Sequence, residues 1–264
     1  MSPTPEPYLH GHHESVLRSH SWRTVENSAA HLIPHLHPGL RVLDVGCGPG
    51  TITADLAARV APGEVVGIDS SPEIIEQASA DHGAAASFRV GDAYALDADD
   101  DSFDVVHAHQ VLQHLRDPVA ALTEMRRVVR PGGIVAARDA DFGAMSWAPA
   151  SDGLDRWMAV YQAMTAHAGH DANAGRHLLG WAHGAGFETV RATSSTWTFA
   201  DPESREWWAG VWADRVLESG YATNAIEQGL LDDDGIEQIA TAWREWAGHP
   251  DGWFMCPHGE IIAV

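Results

Sequence analysis

"RVLDVGCGPG", residues 41–50, decides the fold. An aliphatic run ends in three glycines at alternate positions, Gly46, Gly48 and Gly50. This reads as a strand feeding a tight loop, and a loop without side chains lets a ligand lie against bare backbone. Three ligands are open: a nucleoside triphosphate, a dinucleotide, or a molecule without phosphates. A triphosphate loop needs Gly-Lys-Ser/Thr after its glycines. All 16 basic residues of this chain are arginines, so that reading fails. The dinucleotide fingerprint spaces its glycines G-x-G-x-x-G. The spacing here is G-x-G-x-G, a departure that alone does not exclude a dinucleotide.

Outward from this loop the pattern alternates. Residues 41–46, 64–69, 87–90, 103–109 and 134–140 read as strands. Between them, 51–60 carries Ile52, Leu56 and Val60 four apart, a helical stripe. The segment 71–82 opens with a Ser cap and Pro at the first helical position. A helix capped by Asp117 follows and stops before Pro131, Gly132 and Gly133. Strands alternating with helices predict a parallel sheet covered on both faces, with ligands at the carboxyl ends of its strands. The chemistry-bearing residues fall there: Gly46–Gly50, Asp69, Asp92 and His109. Residues 186–199 and 252–264 supply late strands, and the remainder reads as mainly helical. The expected organisation is a helical cap segment over 1–38 and a core over 39–199 with a helical insertion at about 145–170. A second helical insertion over 200–251 and a final strand over 252–264 complete it.

Composition excludes several functions. The chain has 264 residues, is 45% hydrophobic and carries a formal charge of −21. It is poor in the cations that neutralise nucleic-acid phosphates. Schiff-base chemistry on lysine is excluded outright. No stretch resembles a signal peptide or reaches membrane-spanning length. Two cysteines, Cys47 and Cys256, lie far apart, which suits a reducing, cytoplasmic setting. Oligomeric state is not readable.

Asp69 follows Gly50 by 19 residues and ends the second strand, where a carboxylate accepts both hydrogen bonds from a ribose diol. That fits NAD equally well. Asp92, after Val90 and Gly91, ends the third strand and suits an adenine amino group. With these residues the chain resembles the class I S-adenosylmethionine-dependent methyltransferases, in particular the small-molecule group that includes quinone-biosynthesis C-methyltransferases. The first motif, acidic-x-Gly-x-Gly-x-Gly, is matched by Asp44, Gly46, Gly48 and Gly50. "SFDVV" (102–106) and "RPGG" (130–133) match the segments around the fourth and fifth strands. The resemblance is specific over about residues 40–140. It implies an α/β fold: a Rossmann-like, seven-stranded, mostly parallel sheet with an antiparallel last strand, helices on both faces and a helical cap.

The resemblance implies S-adenosylmethionine as cofactor, held by the glycine loop, Thr51, Asp69 with Ser70, Asp92 with Ala93, His109, Gln110 and His114. The helix start at Gly50–Thr51 offers free N–H groups to the methionine carboxylate, and Arg23 is a second candidate for it. No metal is expected; Asp139 and Asp141 read as an exposed loop pair.

Methyl transfer is an in-line displacement, and alignment and exclusion of water carry most of it. A base matters only if the acceptor must lose a proton. Among 17 histidines, His109 and His13 are the candidates. "HAHQ" (107–110) replaces the Asn/Asp-Pro-Pro motif of amino-methyltransferases, and two cysteines do not suffice for arsenite chemistry. The expected partner is a small, apolar or aromatic acceptor, methylated on carbon or oxygen. Two alternatives stay open: non-methyl chemistry such as cyclisation in the same pocket, and an NAD-dependent oxidoreductase. Ten of eleven tryptophans fall between 147 and 253. They either pack helices together or wall an aromatic pocket.

Overall fold

A computed structural model describes residues 19–264. The strands are β1 (Arg41–Val45), β2 (Glu64–Asp69), β3 (Ser87–Val90), β4 (Phe103–His109), β5 (Val129–Ala140), β6 (Ser146–Ala148), β7 (Val190–Phe199) and β8 (Trp253–Ala263). They form one sheet in the order β3-β2-β1-β4-β5-β8-β6, with β7 also pairing β8. Strands β1 to β5 pair in parallel, and β8 runs antiparallel to β5, β6 and β7. The antiparallel last strand agrees with expectation, and the count is eight rather than seven. The eighth strand has a simple cause. β8 outruns β5, whose pairing ends at Ala140↔His258. Ser146–Ala148 then takes up the same edge of β8 at Met255, Phe254 and Trp253.

The helices are α1 (Val25–Ser28), α2 (Thr51–Val60), α3 (Pro72–His82), α4 (Pro118–Val128), α5 (Asp152–His167), α6 (Leu178–Gly184), α7 (Pro202–Glu218), α8 (Gly220–Glu227) and α9 (Asp233–Gly248). Local chemistry sets their starts. Ser71 accepts from Ile74 N and Asp117 from Ala120 N, each with Pro at the first turn. One boundary moves: α4 ends at Val128, and β5 already runs through Pro131–Gly133. Val129 pairs with Phe103, and the register shifts between Phe103 and Val105 before Ile134 joins. The proline and glycines therefore sit in an irregular strand entry, where they cost no regular ladder bond.

Alternation in β1 shows why both faces are covered. Val42 packs with Leu32, Ile52, Leu56 and Val60 on one face; Leu43 and Val45 pack with Leu122, Met125 and Leu178 on the other. A third cluster lies outside this sandwich. Trp157 of α5, Trp212 of α7 and Trp243 of α9 are fully buried against one another and Phe254. Their rings meet at 4.5 Å (Trp157–Trp212) and 4.9 Å (Trp157–Trp243), both edge-on. The late tryptophans thus form the core of a helical layer. Among the described residues no helix is long and apolar enough to cross a membrane.

Candidate active site

The carboxyl ends of β1 to β4 open into a cavity of about 560 Å³. Its floor is the glycine loop. Gly46 has φ +68° and Gly50 φ +86°, conformations that L side chains rarely adopt. A Cβ on Gly46 would lie 2.4 Å from Val111 Cγ2, and one on Gly50 2.8 Å from the Phe88 ring. The loop is therefore bare both for its own turn and for close approach of a ligand. Gly50 caps α2, whose first residue, Thr51, lines the cavity. Beneath, Asp44 is buried; it accepts from Thr53 Oγ1 at 2.6 Å and pairs with His107 Nδ1 at 2.7 Å. Both of its oxygens are engaged below the loop, so Asp44 fixes the loop to α2 and β4.

Asp69 Oδ2 accepts from Gly48 N at 3.1 Å and Oδ1 from Ser71 N at 3.0 Å. Each oxygen keeps a further lone pair, the requirement for a ribose diol. Asp92 Oδ1 accepts from Tyr94 N at 2.9 Å, which orients the carboxylate at the end of β3. Ser70 and Ala93 line the same wall. Cys47 lines it too, but burial pushes its thiol up, so it offers no thiolate.

The opposite wall is assembled from distant segments. His20, Arg23, His109, Gln110, Gln113, His114, Phe142, Tyr161 and Arg215 all line the cavity. Gln110 has φ +53° and anchors a chain of hydrogen bonds. Arg23 Nη2 donates to Gln110 Oε1 at 2.6 Å, and Gln110 Nε2 donates to His258 Nε2 at 2.8 Å. His258 Nδ1 in turn donates to Cys256 O at 3.0 Å. Burial, then Arg138 and Arg23, hold His258 well below its ordinary range, so the neutral tautomer fits this chain. The order of donors and acceptors is thereby fixed from β8 to Arg23.

His109 is 5% exposed and sits 5.8 Å from Trp197 and 6.1 Å from His258, ring to ring. Neither ring nitrogen has a hydrogen-bond partner. Burial first, then Arg23 and Arg138, drive its pKa well down. That depression favours the neutral ring. His114 is pushed down to about 3 by burial, then by His170, Arg23 and Arg215. Gln113 accepts from Ala140 N through Oε1 at 3.3 Å, so its Nε2 donates to His114 Nε2 at 3.0 Å.

The sequence reading places Arg23, Asp44, Gly46, Gly48, Gly50, Thr51, Asp69, Ser70, Asp92, Ala93, His109, Gln110 and His114 at one site; all of them line this cavity except Gly50, which caps α2 behind the lining. His13 lies outside the described residues. Asp139 and Asp141 are not an exposed pair. Asp139 is fully buried, accepts from Gln113 N at 3.1 Å, and is raised to about 7 by that burial. Asp141 is 8% exposed and pairs with Arg176 Nε at 2.7 Å. No group of His, Cys, Asp and Glu among the described residues could hold a metal ion. No tryptophan is among the described lining residues; Tyr94 lines the cavity beside Asp92, and Phe142 and Tyr161, stacked at 4.2 Å, line the opposite wall. Sequence reasoning missed these last two and Arg215: Phe142 sits in a short turn after β5 with no periodicity, and nothing in the spacing of α5 or α7 sets Tyr161 and Arg215 apart from their neighbours.

Known proteins share this architecture. A family model described as a methyltransferase domain matches residues 36–193. An uncharacterized methyltransferase of Schizosaccharomyces pombe is 36% identical over 272 residues, covering 97% of this chain and 95% of that protein. A ubiquinone biosynthesis O-methyltransferase of Cereibacter sphaeroides is 36% identical over 126 residues, covering 46% of this chain and 50% of that protein. The crystal structure of the YcgJ protein from Bacillus subtilis superposes with a TM-score of 0.58 at 17% identity, covering 90% of this chain and 98% of that one, a likeness of fold.

Proposed function

This chain belongs to the methyltransferase domain family and uses S-adenosylmethionine, and we propose that it methylates a carbon or oxygen of a small, apolar or aromatic acceptor. One observation carries the proposal. A single cavity joins the bare glycine loop and two outward carboxylates to a buried wall of His109, Phe142 and Tyr161. The donor set fits the cofactor, which is a nucleoside and an amino acid without phosphate.

When bound, S-adenosylmethionine supplies a methyl group on positively charged sulfur. The residues of this chain do the rest. Asp69, with Ser70 beside it, would take the ribose diol, and Asp92 with Ala93 the adenine edge. The N-terminus of α2 at Thr51 and the guanidinium of Arg23 would take the methionine carboxylate. Gln110 holds Arg23 in place, and His114 closes the wall above it. Gly46, Gly48 and Gly50 admit the ligand backbone-close, while Asp44 keeps the loop rigid from below. His109 is the catalytic candidate: its neutral nitrogen orients the acceptor by accepting its hydrogen. Phe142, Tyr161 and the helical layer behind them exclude water, and alignment in such a dry site supplies most of the acceleration. The ubiquinone-pathway relative supports an aromatic acceptor. Two free, buried thiols, Cys47 and Cys256, support a cytoplasmic setting.

The test is incubation with S-adenosylmethionine and a panel of phenols and hydroquinones. S-adenosylhomocysteine is expected to form in step with a methylated product. Acceptor consumed with no S-adenosylhomocysteine would instead indicate cyclisation-type chemistry. Stabilisation by NADH and not by S-adenosylhomocysteine would sink the proposal.

A further inference from the structure

The charges lining the cavity are segregated. Its three carboxylates, Asp44, Asp69 and Asp92, all sit at the ends of β1, β2 and β3. Among the described residues the opposite wall holds two guanidiniums, Arg23 and Arg215, and no carboxylate. In a chain of net charge −21 this is an unusual place to gather positive charge. Arg23 is tied to Gln110 beside the glycine loop. Arg215 comes from α7, in the helical layer, and shares its wall with Tyr161 and Phe142. It is 7% exposed; its Nη2 donates to Ser19 Oγ at 2.8 Å, and its Cζ lies 4.6 Å over the Trp212 ring. Stacking and that hydrogen bond hold the guanidinium as a rigid fork at the edge of a dry cavity, the setting in which arginine recognises oxyanions.

Resting on the methyl-transfer reading, we infer that the acceptor carries an anionic oxygen, as carboxylate, enolate or phenolate, and that Arg215 selects it. An acceptor of this kind also suits the rest of the wall. It arrives ionised or nearly so and needs no strong base. His109, whose burial disfavours holding a proton, offers none. Arg215 lies close enough to His114 to depress its titration, which places the two on one surface of the cavity.

The test uses the full chain loaded with S-adenosylhomocysteine and three matched pairs of probes, titrated by calorimetry. The acids are benzoate, 4-hydroxybenzoate and 2-hydroxy-1,4-naphthoquinone. Their neutral partners are benzamide, 4-hydroxybenzamide and 2-methoxy-1,4-naphthoquinone. At least one acid is expected to bind about tenfold or more tightly than its partner, the scale of one charge-assisted hydrogen bond. Comparing the pairs tells a carboxylate from an acidic enol. Arg215→Met keeps the packing on Trp212 and is expected to abolish the preference, and Arg215→Lys to restore part of it. Both variants are expected to hold S-adenosylhomocysteine within about threefold of the parent, because the inference places Arg215 outside the cofactor's reach. Equal binding of acids and neutral partners, no binding of any acid, or a preference that survives Arg215→Met overturns the inference. Loss of S-adenosylhomocysteine binding in Arg215→Met also overturns it, assigning the guanidinium to the cofactor and leaving methyl transfer intact. Failure of the parent protein to bind S-adenosylhomocysteine removes the methyl-transfer reading itself.

Discussion

The two ends of the cavity are built by different means. At one end, each functional group hangs from the end of its own strand: Gly46–Gly50 after β1, Asp69 at the end of β2, Asp92 after β3. Their mutual positions follow from parallel pairing, because adjacent strands ending at one level bring their last residues together. At the other end, Arg23, His109, Phe142, Tyr161 and Arg215 come from five separate segments, and helices far apart in sequence must pack before the wall exists. The first end is made of backbone and short range. The second is made of buried polar side chains at long range, so its integrity depends on how each of them titrates and bonds.

The largest effect expected from that difference is on pH dependence. His109, His114 and His258 all have folded pKa values below 6.5, so the folded state refuses a proton that the unfolded chain accepts. Stability is therefore complete above about pH 6.5 and is lost as the pH falls below it. His114, driven down to about 3, alone costs about 2 kcal/mol between pH 7 and pH 5. Asp139 acts in the opposite sense. Raised to about 7, it is protonated in the fold where a free carboxyl is ionised, so acidification through pH 7 returns stability. His31, lowered to about 4 by burial, acts in the same sense as the other three histidines, so four groups against one predict a net loss of stability from pH 7 to pH 5. Urea midpoints across that range measure it, and a flat profile contradicts it. Asp139→Asn keeps the acceptor for Gln113 N and is expected to steepen the loss by about 2 kcal/mol.

Next in size is the backbone end. Gly46→Ala places a Cβ 2.4 Å from Val111 Cγ2 at a φ of +68°. Strain and displacement of Val111 together are expected to weaken S-adenosylhomocysteine binding about 100-fold, near 3 kcal/mol. Val111→Ala in the same chain clears the space but not the dihedral cost, so it should recover about half of that loss. Calorimetry on the single and double variants decides it. Full recovery would show that only the side-chain clash matters, and no recovery that only φ does.

The same difference explains what was legible in the sequence. The glycine spacing, the two aspartates and the caps at Ser71 and Asp117 are local signals, and the structure places them at the positions the spacing implied. β6 was not legible: three residues carry no period, and they are extended because β8 offers an unpaired edge. Asp139 and Asp141 read as exposed because isolated carboxylates usually are. They are buried because Gln113 N meets one and Arg176 the other. Arg215 carries no local signal that distinguishes it from the other arginines of the chain. Only the packing of α7 against α5 and α9 turns its position inward.

The smallest expected effect tests whether the two ends are separate at all. Gln110 lies between them, joined to Arg23 on one side and, through His258, to β8 on the other. If the chain of hydrogen bonds serves to aim Arg23 at the cofactor, Gln110→Ala and Arg23→Ala should each weaken S-adenosylhomocysteine binding about tenfold, near 1.4 kcal/mol. The double variant should then lose no more than about twofold beyond either single one, because both remove one interaction. Losses that multiply would mean that Gln110 touches the cofactor independently of Arg23. A third pattern, unchanged cofactor affinity with a raised KM for the acceptor, would assign Gln110 to the long-range wall. The left-handed φ of +53° at Gln110 supplies an internal control. Gln110→Gly relieves about 1 kcal/mol of backbone strain that Gln110→Ala retains. The glycine variant should therefore melt higher than the alanine variant while binding S-adenosylhomocysteine no better, which separates what this residue does for the fold from what it does for the ligand.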